Sequence, residues 1–108
     1  MASRSIINKL SRYLKLLIDT GIPVEKGLLF GSYATGDYTD ESDLDLLVIS
    51  PLFDQSKTCK MLDTLWRLRR KIDPRIEPIA VGTQEFNNEG CSPLIDVARR
   101  QGIEINPG

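Results

Sequence analysis

Apolar residues recur at three- and four-residue steps through Ile6, Ile7, Leu10, Leu14, Leu17 and Ile18, which predicts an amphipathic helix near the start of the chain. Ser3 or Ser5 is its expected cap, and Gly21 followed by Pro23 its expected stop. The period then changes. Val24 to Phe30 reads as a short strand with the apolar run Leu28-Leu29-Phe30, and Leu44 to Ser50 as a second, buried strand stopped by Pro51. Gly31 to Ser42, between them, is polar and without apolar period, so it reads as a loop with at most one helical turn. Met61, Leu65, Leu68 and Ile72 form the next helical stripe, flanked by Leu62 and Trp66, and this pattern places Trp66 in the core. Asp54 or Ser56 is the expected cap of that helix, and Asp73-Pro74 its end. Arg75 to Val81 reads as a third strand, at a sheet edge because Pro78 cannot donate to a neighbour. Ser92-Pro93 opens a last helix closed by Gly102, and Ile103-Glu104-Ile105 is a candidate fourth strand. The order predicts an α/β (α+β) fold: one domain over 1–108, a small mixed sheet of three to four strands packed against helices.

Composition narrows the chemistry. The chain has 108 residues and a net charge of −1, from 14 Lys and Arg against 15 Asp and Glu. A basic surplus, the usual mark of a free-standing binder of duplex nucleic acid, is missing, so no strong nucleic-acid binding by the chain itself is expected. There is no histidine. That excludes Ser-His-Asp and Cys-His triads and histidine metal sites, and leaves carboxylates to hold any metal, which favours Mg²⁺ or Mn²⁺. Cys59 and Cys91 lack C-x-x-C spacing and read as inert thiols. No leader-like h-region follows Met1, and no apolar run approaches the roughly 18 residues of a membrane span, so a cytoplasmic protein away from membranes is expected.

Two aspartates carry the first chemical signal. Residues two apart on a strand share a face at roughly 7 Å, so Asp43 and Asp45 project together while Leu44, Leu46 and Val48 face the other way. Such a pair repels itself unless a cation sits between, although a solvated, idle pair at a strand end fits the pattern equally well. Upstream, Gly31 directly follows the first strand, and a glycine there lets backbone amides approach a phosphate. A P-loop is excluded: Gly31 and Gly36 have its spacing, but Asp37 and Tyr38 stand where Lys and Ser or Thr should follow.

Taken together, the run from Gly31-Ser32 across ten residues to Asp43-Leu44-Asp45 and on to Val48 resembles the signature of the DNA polymerase β-type nucleotidyltransferases. Its length is most similar to their minimal (MNT) group. The resemblance implies that Gly31, Ser32 and Ser42 contact the nucleoside triphosphate, and that Asp43 and Asp45 bind the catalytic metals, two Mg²⁺ ions. It also implies a third carboxylate on the strand after the helix. Glu77 is the candidate for metal ligand and base, where the family usually has aspartate. The implied reaction is transfer of AMP from ATP to a hydroxyl acceptor, with a tyrosine of a HEPN-family toxin as acceptor and the chain as its antitoxin. A binding module that neutralises its partner by occlusion and a small-molecule, aminoglycoside-type adenylyltransferase are the alternatives. Other features read as structural: Arg67, Arg69, Arg70 and Lys71 as cations at a helix C-terminus, and Arg99-Arg100 likewise. Tyr33 and Tyr38 flank the loop without an assignable role.

Overall fold

The computed structural model describes residues 4–31, 36, 39, 42–88 and 92–107. Helix α1, Arg4–Thr20, buries Ile6, Leu10, Tyr13, Leu14 and Leu17 on one stripe. Ser5 lies inside that helix and is not its cap, because the chain is already helical at Arg4; Ser3 lies outside the described residues. Strands β1, Lys26–Phe30, and β2, Leu44–Ser50, pair antiparallel, with Phe30 opposite Asp45. The expected first strand begins two residues late, since Val24 is buried but donates to Ile22 O in a turn.

After Pro51 come a short helix α2, Leu52–Gln55, and then α3, Cys59–Leu68, which continues as a 3₁₀ turn over Arg69–Lys71. Neither Asp54 nor Ser56 caps α3. Thr58 does: its Oγ1 accepts from Met61 N at 3.2 Å. Strand β3, Ile76–Gly82, runs parallel to β2, with Asp45 opposite Glu77. It leads directly into α4, Thr83–Asn87, a helix that the polar sequence did not reveal. The Asp54 carboxylate caps α4 from a distance, accepting from Gln84 N at 2.9 Å and Glu85 N at 3.2 Å. Helix α5, Pro93–Gln101, has Ser92 as cap and Gly102 after its end, as expected, and β4, Ile103–Ile105, pairs antiparallel with β1.

The sheet order is β3-β2-β1-β4, which puts the Pro78 strand at an edge. Alternation along the strands sends Leu44, Leu46 and Val48 of β2, with Ile76 and Ala80 of β3, into a core beneath α1 and α3. The opposite face carries Phe30, Leu47, Ile49 and Val81, covered by Phe86 of α4 and by Ile95 and Ala98 of α5. Each fully buried Leu of this kind contributes about 1.5–3 kcal/mol. Gly27 lets α1 sit close on the first face, because a Cβ there would press on Leu14 Cδ1 and Leu46 Cδ1 at 3.0 Å. Tyr13 fixes the two helices together: its hydroxyl donates to Leu65 O at 2.6 Å, and burial pushes its pKa far above the usual tyrosine value. Among the described residues no helix is long and apolar enough to cross a membrane.

Candidate active site

The register of three neighbouring strands lines up Phe30, Asp45 and Glu77 across one sheet face. Further along β2 and β3 that face is apolar and covered by helices. At the strand starts it ends in carboxylates. Asp43 precedes β2 and is exposed, while Asp45 and Glu77 are half-buried. Backbone pairing continues past the strand start, Leu44 N donating to Arg75 O at 2.9 Å, so Asp43 is carried by an ordered segment.

The electrostatics follow from this crowding. Glu77 stands opposite Asp45 in the parallel register, with Asp43 two residues before Asp45. Burial, then the Asp43 charge, then Asp45, hold its carboxyl above the ordinary glutamate value. Asp45 is also raised, by burial first; the hydrogen bond with Glu77 works against that shift and the Asp43 charge adds to it. Carboxylates crowded in this way repel one another when charged, and a cation between them would relieve that repulsion.

Gly31 closes the site from the β1 side. Its φ of +77° lies in the left-handed region, and a Cβ on it would fall inside the van der Waals envelope of Asp45 Oδ2. The glycine is therefore required by the aspartate beside it as well as by any phosphate. Ser42 is occupied locally: its Oγ accepts from Thr39 N at 2.9 Å and its N donates to Thr39 O at 3.0 Å. Ser32, Tyr33, Thr35 and Tyr38 lie outside the described residues, as does Cys91; Cys59 is an exposed free thiol.

The donor set suits a hard divalent cation: oxygen ligands only, on carboxylates whose pKa values are raised by burial and then by one another. Among the described residues no three ligand-type side chains form a ready-made cage. Magnesium sites commonly have this character, taking one or two carboxylates and completing the shell with water and substrate phosphate.

One residue sits differently from its sequence expectation. Trp66 is outside the core, 41% exposed, with the Arg69 guanidinium 4.6 Å from its ring centroid. The i, i+3, i+4 stripe through Met61, Leu65 and Leu68 turns inward, and an indole one step beyond it stays at the rim. Glu85 belongs to α4. It accepts from Gly82 N at 3.1 Å and pairs with Lys57 at 2.9 Å. Burial opposes these contacts, but together they leave its pKa lowered. Of the basic cluster, Arg69 reaches beyond the helix end: its Nη1 donates to Pro74 O at 2.8 Å and to Ile76 O, at the start of β3, at 3.0 Å.

Residues 7–104 match the nucleotidyltransferase domain family, and the chain belongs to it. Two proteins of Methanocaldococcus jannaschii, both named putative protein adenylyltransferases, are similar in sequence. One is 37% identical over 67 residues, covering 61% of this chain and 62% of that protein. The other is 31% identical over 85 residues, covering 76% of this chain and 79% of its own length. In fold the chain resembles a crystal structure of a putative nucleotidyltransferase from Sulfolobus solfataricus. The TM-score is 0.59 at 19% identity, over 96% of this chain and 87% of that one. The mixed four-stranded sheet with helices on both faces is thus the architecture of a nucleotidyltransferase.

Proposed function

We propose that the chain transfers AMP from ATP to a hydroxyl on a protein acceptor, with Asp43, Asp45 and Glu77 as the chemical centre. The observation that carries this reading is the juxtaposition of Asp45 with Glu77 across two parallel strands, beneath a glycine that leaves no room for a side chain. Asp43 and Asp45, with Glu77, would hold Mg²⁺, two ions in the full form. A metal held there would supply charge neutralisation for the triphosphate and would lower the pKa of the acceptor hydroxyl. Gly31 keeps the approach of the phosphates open, with Ser32 and Ser42 in the same loop as their partners. Glu77 lies on the edge strand opposite Asp45, where it is the carboxylate placed to take the proton of the acceptor hydroxyl. The acceptor oxygen then bonds to the α-phosphorus, the bond to the bridging oxygen breaks, and pyrophosphate leaves.

The names of the two archaeal relatives support a protein as the acceptor. The finer reading is a tyrosine of a HEPN-family toxin, with the chain as its cytoplasmic antitoxin. The test is calorimetry of ATP with Mg²⁺ and with EDTA, followed by mass spectrometry of a co-expressed HEPN partner. Binding that needs the metal and a partner heavier by one or more AMP groups are the expected results. Equal ATP affinity in EDTA, or a partner that binds and never gains mass, would overturn the reading in favour of neutralisation by occlusion.

A further inference from the structure

Helix α3 presents a face that is exposed among the described residues. Leu62 and Trp66, four residues apart, are 36% and 41% exposed and form one ridge that continues to the exposed Arg70. Beside it lies a shallow depression of about 350 Å³ lined by Asp63, Trp66, Arg67, Arg69 and Arg70. The charge is lopsided. Between Cys59 and Lys71 stand Lys60, Arg67, Arg69, Arg70 and Lys71 against the single Asp63, in a chain whose total charge is −1. Asp63 is already engaged with Arg67 at 3.2 Å.

We propose that this ridge docks an acidic amphipathic helix of a partner protein, with Leu62 and Trp66 as apolar anchors and Arg67 and Arg70 as the charged rim. The inference rests on the protein-acceptor reading above and adds the surface that would hold the acceptor. Charge decides among occupants. A second copy would bring the same cations face to face, whereas acidic flanks would meet them. An aliphatic residue beside an indole on a helical ridge suits ridge-into-groove packing against another helix. A single-stranded nucleic acid would call for a row of stacking platforms, and α3 offers one aromatic ring, whose one face Arg69 already takes. Tryptophan and arginine are also the residues most often found to dominate protein–protein binding energy.

Position supports the link to the active site. Arg69, stacked on Trp66, donates to the carbonyl of Ile76, the residue before Glu77. The ridge and the carboxylates therefore lie at the same end of the sheet, on opposite faces, so a partner gripping one can bring a hydroxyl around the end to the other.

The experiment titrates the whole chain with two synthetic helices of about 20 residues, sharing one leucine face and flanked by glutamates in one and lysines in the other. Single-stranded oligoadenylate of similar length is the third probe. Binding is followed by calorimetry and by amide and indole NMR shifts. The glutamate helix should bind, shift Leu62, Trp66 and Arg70, and weaken in high salt. Trp66→Ala, or Arg67→Glu with Arg70→Glu, should weaken it at least about tenfold. The proposal is overturned by no binding of the glutamate helix, by equal or tighter binding of the lysine helix or the oligoadenylate, by shifts centred on Leu94 and Val97, the exposed apolar pair of α5, or by self-association through Trp66. ATP binding with Mg²⁺ is measured on the same samples. A wild-type chain that binds the glutamate helix but not ATP sinks the transfer reading and leaves the docking face standing. Trp66→Ala that keeps ATP but loses the helix does the reverse job, assigning the loss to the ridge.

Discussion

Two groups of carboxylates lie at the same end of the sheet, one just before β3 and one at the starts of β2 and β3, and the protein treats them in opposite ways. Asp73 is buried and fully partnered. Arg75 reaches it at 2.7 Å through Nη2, its own backbone N at 2.9 Å, and Lys9 Nζ at 3.3 Å. The Arg75 hydrogen bonds hold its pKa far below the usual aspartate range, against the cost of burial. Asp45 and Glu77 are given each other and Asp43 as neighbours, and their pKa values rise. A carboxylate meant to hold the chain together is matched with cations from within. One left beside its own kind carries that repulsion in the folded chain, and in the proposed function a metal and a substrate would supply the opposing charge from outside.

Breaking the second group should have the largest effect, and on turnover rather than folding. Asp45→Asn or Glu77→Gln is expected to lower AMP transfer by about 10²–10⁴-fold, the range for removing a positioned acid–base group, read as AMP mass gained by the partner over time. Circular dichroism should show both variants folded. Wild-type rates in Glu77→Gln would leave two carboxylates sufficient.

Breaking the first group should act on stability alone. Asp73→Asn leaves Arg75 and Lys9 without their anion, and urea unfolding should show a loss of about 1–3 kcal/mol, less than for a fully buried pair because Lys9 is well exposed. ATP affinity should not change.

Gly31→Ala tests how closely the site is built around Asp45. The left-handed φ alone costs about 1–2 kcal/mol for an alanine, before the overlap with the Asp45 carboxylate. Urea unfolding should show at least that loss, and ATP affinity should fall with it.

The smallest effect has the opposite sign. Without metal, Glu77→Gln should stabilise the chain at neutral pH by about 0.2–1 kcal/mol, the scale of a cross-strand pair. Because the folded pKa values of Asp45 and Glu77 are raised, their favourable contribution is present in acid and lost as pH rises through those values. Asp73 runs the other way: its contribution is present above the ordinary aspartate pKa and lost as pH falls. Wild-type stability should therefore fall at both ends of the range from acid to neutral. Glu77→Gln should flatten the neutral side, and Asp73→Asn the acid side, in thermal midpoints measured across pH.

Much of this was legible in the residues themselves. Leu44 and Ser50 bound β2 as its apolar run between Ser42-Asp43 and Pro51 indicated, and Pro78 marked the edge strand. Period-two alternation then placed Asp45 and Glu77 on one face once β3 lay parallel to β2. What stayed hidden depends on partners distant in sequence. Helix α4 is short and polar; Glu85, three residues after Gly82, is a local signal for it, but the other cap comes from Asp54, thirty residues before Gln84. Thr58 caps α3 although Asp54 and Ser56 are as good by type; the choice falls to where the turn after α2 ends. The indole of Trp66 sits on the boundary of a helical stripe, where a rotation of one residue separates core from surface. The need for glycine at Gly31 could be read only in part, because the obstacle is the Asp45 side chain.

The exposed indole also governs how the protein can be observed. Trp66 is the sole tryptophan, half-solvated in the folded chain and touching one guanidinium. Its emission should already be red-shifted before any denaturant is added, so an unfolding curve recorded by tryptophan fluorescence will have little amplitude. It will report the parting of Arg69 from the ring more than the loss of the core. The buried phenol of Tyr13, locked to Leu65, is the better witness of the core, through near-ultraviolet circular dichroism or the delayed ionisation of its hydroxyl in alkali. The same indole becomes a sensitive probe once something covers it: a blue shift without unfolding is the optical signature of an occupied ridge.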